Sequence, residues 1–109
     1  MFELSFSEKI DSDIKSVMKY IKNTLKAPWA AENHLKELNK ILIKLSENPY
    51  CRPLVQDKYL AIKGYRSINV KNFTLFYKVH EENNTVLLYR FMYSQRDWIS
   101  ILTEYDEII

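Results

Sequence analysis

Residues 62–93 read IKGYRSINVKNFTLFYKVHEENNTVLLYRFMY, and the fold turns on how this stretch is divided. Three runs, about 62–70, 73–80 and 85–93, are rich in the aromatic and β-branched residues that suit a pleated surface. Lys71-Asn72 fits a two-residue turn, with asparagine tolerating positive φ, and Glu81-Glu82-Asn83-Asn84 supplies a longer one. The spacing predicts an antiparallel meander. Pairing Val70 with Phe73 and His80 with Thr85 sets its register. Strict alternation then puts Arg66, Ile68 and Val70 on one face with Phe73, Leu75, Tyr77, Val79, Val86, Leu88, Arg90 and Met92. Two arginines thus share a largely apolar face, their Cα atoms ~10–12 Å apart. Phe76, Leu87, Tyr89 and Phe91 make the other face apolar too, so alternation does not say which side the rest of the chain covers.

Upstream, Phe2, Leu4 and Phe6 alternate with Glu3 and Ser5, the period of a half-buried strand. Ile10, Ile14, Val17, Met18, Ile21 and Leu25 then recur at three and four, marking one face of a helix over about 7–26. Ser7 is placed to cap it, because its hydroxyl can accept from a first-turn amide. Pro28 ends that helix and suits the first turn of the next. Ala31, His34, Leu35, Leu38, Ile41, Leu42 and Leu45 line one side of the second helix. The short connection predicts an antiparallel helical hairpin. Pro49 and Pro53 mark residues 48–53 as the loop from helices to sheet. Downstream, Trp98, Ile99, Ile101 and Leu102 predict a short C-terminal helix packed on the sheet. The fold expected is α+β: an N-terminal strand and helical hairpin on a curved antiparallel sheet of three or four strands.

The 109 residues fit one domain, 1–109. The single Cys51 excludes a disulfide framework, and with only His34 and His80 beside it no structural zinc site is expected. Gly64, the only glycine, excludes phosphate-binding turns that need several. No apolar run approaches the ~20 residues of a membrane span. Glu3 precedes any apolar stretch, so no signal peptide is expected and the chain is placed in the cytoplasm. The formal charge of +2 is unevenly spread. Residues 48–96 hold eight bases against three acids, whereas 97–109 hold four acids and no base. A basic middle suits an anionic partner; an acidic tail can also neutralise it within the fold.

Arginine is planar, permanently charged and offers paired donors to phosphate, so Arg66 and Arg90 on one face could clamp one. Lys63, Lys71 and Arg96, interleaved with Tyr65, Tyr77, Tyr89 and Tyr93, add charge for a nucleic-acid backbone and rings for bases. The competing reading pairs the arginines at the sheet edge with carboxylates such as Glu47 or Asp57. His80 reads as a turn residue, His34 as a core-edge residue and Cys51 as a small buried hydrophobe. No Asp/Glu cluster has metal-ligand spacing.

Gly64-Tyr65-Arg66, Val70-Lys71-Asn72-Phe73 and Leu75-Phe76-Tyr77-Lys78-Val79 resemble the central strands of the RelE/ParE toxin superfamily. Residues 86–98, from Val86 to Arg96-Asp97-Trp98, are similar to its last strand and terminal Arg-Asp pattern. With the helical hairpin, the resemblance covers nearly the whole chain. It implies a toxin of a type II toxin–antitoxin module, neutralised by a small antitoxin that wraps it. Operator DNA would be contacted only through that complex. The RelE branch cuts mRNA in the ribosomal A site without a metal or cofactor; the ParE branch inhibits DNA gyrase. Carried over by position, the resemblance implies that Arg66 and Arg90 hold the scissile phosphate. Arg96 would neutralise developing charge, and Tyr93 would serve as general acid or base. Lys63 and Lys71 are expected to bind RNA on their charge among the tyrosines, apart from the resemblance. The expectation is mRNA cleavage, with gyrase inhibition as the alternative. The Tyr-x-x-Arg-Asp-Trp ending is similar to ParE-like members.

Overall fold

A computed structural model describes residues 1–24 and 28–108 of the chain. Its elements are β1 (Glu3–Phe6), α1 (Glu8–Thr24), α2 (Pro28–Glu47), α3 (Lys58–Ile62), β2 (Arg66–Val70), β3 (Phe73–His80), β4 (Thr85–Tyr93) and α4 (Trp98–Ile108). Leu25 and Lys26, expected at the end of the first helix, lie outside the described residues.

The four strands form one sheet in the order β1-β4-β3-β2. β2, β3 and β4 make the expected meander, with Val70 opposite Phe73 and His80 opposite Thr85. β1 joins it parallel to β4, Glu3 opposite Thr85 and Phe6 opposite Leu88, so the sheet is mixed. Parallel neighbours need a long crossover, and here α1, α2 and the meander lie between them. In the β2–β3 turn it is Lys71, at φ 57°, and not Asn72 that takes the left-handed conformation.

Ser7 caps α1 as expected. Its Oγ accepts from the Ile10 amide at 3.2 Å and donates to the Tyr89 carbonyl at 2.6 Å, tying the helix start to β4. α1 turns Ile10, Val17 and Ile21 inward, and α2 turns Leu38 and Leu45. They meet Ile68, Val70, Phe73, Leu75, Tyr77, Val86, Leu88 and Phe91 in the larger core. The opposite face is also covered, by α3 and α4: Leu60, Tyr65, Phe76, Met92 and Leu102 form a second buried cluster. The Trp98 ring lies 5.2 Å from that of Phe76. An apolar pattern on both faces of the meander thus reflects a sheet packed on both sides.

Two sequence expectations are corrected. The run 62–70 is strand only from Arg66. Residues 58–62 form α3, which Asp57 caps by accepting from the Leu60 amide at 3.0 Å, and Gly64 at φ 91° turns the chain into β2. The alternation of β4 also breaks: Tyr77 lies opposite Leu88 and Phe76 opposite Arg90, leaving Tyr89 as an extra residue. This β-bulge swaps the faces beyond it. Phe91, not Met92, reaches the helical core, and Met92 joins the second cluster. Arg66 is in register with Tyr77 and Arg90 with Phe76, so the two arginines do not share a face.

Candidate functional site

Beyond Leu88, β4 outruns β1, leaving one backbone edge without a neighbouring strand. α1 supplies the partner there. Asp13 Oδ2 accepts from the Phe91 amide at 3.0 Å and from Arg90 Nε at 2.6 Å, while Oδ1 accepts from Arg90 Nη2 at 2.9 Å. The pair is mostly shielded, its side chains 11% and 14% exposed. Parallel charge-assisted bonds of this kind are strong and geometrically specific. Arg90 therefore spends its fork on the fold, and its partner is neither Glu47 nor Asp57.

Arg66 lies two strands away, on the edge strand β2. Its Nη1 donates to the Arg52 carbonyl at 2.6 Å, and its guanidinium lies 5.2 Å from the centre of the Tyr50 ring. Lys63, closing α3, holds its ammonium 5.6 Å from the centre of the Tyr59 ring. Tyr93 is opposite Phe73, which pairs with Val70, four strand residues from Arg66. That is about 13 Å along the sheet.

Tyr93 and Arg96 do come together. The Ser94 amide donates to the Asn72 carbonyl at 2.9 Å and the Arg96 amide to the Tyr93 carbonyl at 3.0 Å, folding the chain back after β4. The Thr74 hydroxyl bridges Asn69 at 3.0 Å and Ser94 at 2.7 Å, fixing that end. Lys71, in the adjoining turn, belongs to the same end. Between it and α1 runs a groove of about 400 Å³, lined by Asp13, Ser16, Val17, Tyr20, Phe73, Phe91, Met92, Tyr93 and Arg96. Val17, Phe73, Phe91 and Met92 are buried, whereas Tyr20 and Tyr93 stay half in water. Phe73 stands edge-on to Tyr93 at 5.9 Å and to His34 at 6.0 Å.

A family model described as the ParE toxin of type II toxin–antitoxin system, parDE, matches residues 4–98. The chain belongs to this ParE toxin family. No curated protein matches it in sequence. Among solved structures, it is similar to a chromosomal ParDE TA system from P. aeruginosa: TM-score 0.67, 14% identity, covering 85% of this chain and 96% of that one. A metal-bound toxin from Helicobacter pylori gives TM-score 0.60 at 24% identity, covering 86% and 96%. The isolated E. coli RelE toxin gives TM-score 0.59 at 15% identity, covering each chain fully. At such identities the likeness is one of fold. It is the RelE/ParE fold that the central strands resembled.

For this ParE-family toxin, sequence reasoning missed Asp13 and Tyr20. Both sit beside the apolar stripe of α1, and a carboxylate at the border of such a stripe was the available signal. It could not name Arg90, 77 residues away, as the partner.

Proposed function

We propose that this toxin arrests growth in the cytoplasm as a ParE-like, non-catalytic inhibitor of DNA gyrase. A cognate antitoxin would hold it in check. Its membership of the ParE family supports the class, and one observation favours the non-catalytic branch: Arg90 is spent on Asp13. Metal-free RNA cleavage needs a base, an acid and cations converging on one phosphate. Of Arg66, Arg90, Tyr93 and Arg96, only the last two share a groove. That shared groove is what keeps mRNA cleavage as the second reading, with Arg66, Lys63 and Lys71 as outlying RNA contacts.

The antitoxin expected is a short, acidic, partly disordered chain that orders on binding. Toxin–antitoxin complexes such as E. coli RelBE and DinJ-YafQ share the fold, which supports such a partner. Operator DNA would be reached through that complex alone.

Inducing the protein alone in a bacterial host and following thymidine and amino-acid incorporation over minutes separates the readings. Thymidine incorporation should fall first, and the purified chain should block supercoiling by gyrase. Earlier loss of protein synthesis, with new mRNA 5′ ends, would instead establish cleavage.

A further inference from the structure

We infer that the trough between α1 and α2 is where the antitoxin anchors, as an acidic amphipathic helix, and that the toxin's target does not use it. The inference rests on the antitoxin reading above and holds whether that target is gyrase or mRNA. The floor is Ile14 and Met18 of α1 with Ala31 and Leu35 of α2. Ile14, Met18 and Ala31 pack against the larger core, and Leu35 is left 43% exposed. Each pair is one helical turn apart, so the apolar floor runs along both helices, in a trough of about 630 Å³. Residues 14–22 span about 12 Å of α1, the length of two turns of a helix laid alongside. The trough shares no α1 residue with the groove that holds Tyr93 and Arg96, which lies on the other side of that helix.

Charge chooses the occupant. Lys15, Lys19 and Lys22, all exposed, form the α1 rim, and Glu32 is the one acid among the trough's described lining residues. Lys15 is held by Asp11 at 3.3 Å. Lys19 and Lys22 have no acidic partner among the described residues. A second copy of the chain would set lysines against lysines. A nucleic-acid strand would answer the lysines and leave the apolar floor unfilled. An acidic helix satisfies both: apolar residues three and four apart fill the floor, and carboxylates on its flank meet Lys19 and Lys22. A chain that is disordered when free must recover its ordering entropy from buried apolar surface, which the floor supplies. Of the proposed partners, only the antitoxin is expected to bring both an acid-rich sequence and a segment that folds on contact. Anchored here, its chain needs to cross only the crest of α1, about 10 Å wide, to cover Tyr93 and Arg96.

The test compares full-length wild type with Leu35→Glu and with the double variant Lys19→Glu/Lys22→Glu, all at exposed positions. Two readouts are taken: growth arrest when each toxin is induced alone, and binding of each purified toxin to the purified product of the gene adjoining the toxin's. Both variants should arrest growth as wild type does, with unchanged circular dichroism and thermal melting. Each should bind the antitoxin at least about tenfold more weakly, so that co-expressed antitoxin no longer restores growth. Folded variants that lose growth arrest would give the trough to the target and overturn the inference; weakened binding of the same variants to purified gyrase would name that occupant. Antitoxin binding that both variants keep would overturn the trough as its site while leaving the antitoxin reading intact. Weakening in only one variant would overturn the amphipathic helix. A purified wild type that dimerises until Leu35→Glu is introduced would seat a second copy there and overturn the inference as well. If the adjoining gene's product neither binds nor neutralises wild type, the antitoxin reading falls and the inference with it.

Discussion

Asp13 satisfies three donors on β4, two from Arg90 and the Phe91 amide. Asp13→Ala would strand a shielded guanidinium and a backbone amide together, and should cost about 3–5 kcal/mol in urea unfolding. Asp13→Asn, which keeps one acceptor, should cost less. If Arg90 served only a reaction, neither change would lower stability. Tyr77 offers a second residue-scale test. Its hydroxyl donates to the Pro49 carbonyl at 2.8 Å inside the core. Burial, reinforced by the neighbouring Cys51 thiol, pushes this phenol well above its ordinary value of 10.0. Below pH 10 folded and unfolded chains are both protonated and nothing is lost. Above it the unfolded chain sheds the proton first, so stability falls as pH rises toward the folded value. Tyr77→Phe should cost about 1–2 kcal/mol at neutral pH through the lost hydrogen bond. It should also flatten the alkaline loss when unfolding is measured at pH values on either side of 10.

At the scale of elements, β4 is completed by two neighbours in succession, β1 as far as Leu88 and the first turns of α1 beyond it. The bulge at Tyr89 falls where one gives way to the other. Both turns leading into and out of β2 use left-handed backbone, Gly64 at φ 91° and Lys71 at φ 57°. That conformation costs a residue bearing a Cβ about 1–2 kcal/mol, while glycine's extra freedom in the unfolded chain returns part of the difference. Lys71→Gly should therefore raise stability by about 0.5 kcal/mol net. Gly64→Ala should lower it by about 1 kcal/mol, although an added Cβ there meets nothing within 4 Å. Paired urea titrations would show the two changes with opposite sign.

Taken whole, the molecule is a sheet with a core on each face, and α4 closes the smaller one through Leu102 and Trp98. Truncation after Tyr93 would bare Tyr65, Phe76 and Met92, all buried in the full chain. Such a chain should lose its cooperative thermal transition, and its loss of toxicity would then report unfolding and not a missing target contact. Point changes at Tyr93 or Arg96 are the sounder probe of target binding.

Much of this was legible in the residues. Helices announced themselves by spacing of three and four, β3 and β4 by their composition and the turns between them, and the family by the order of its short strand motifs. These signals are local: periodicity and turn chemistry depend on near neighbours in the chain. Residues 58–62 escaped because a five-residue helix completes barely one turn of pattern. What only the tertiary structure decided is which groups meet. Strict alternation carried Arg90 onto the face of Arg66, and a single extra residue at Tyr89 removed it. Asp13 reached Arg90 across 77 residues because the bare edge of β4 needed an acceptor and α1 passed beside it. A buried amide without a partner is costly enough to recruit one from anywhere in the chain. Nothing in the local sequence records where that partner will come from.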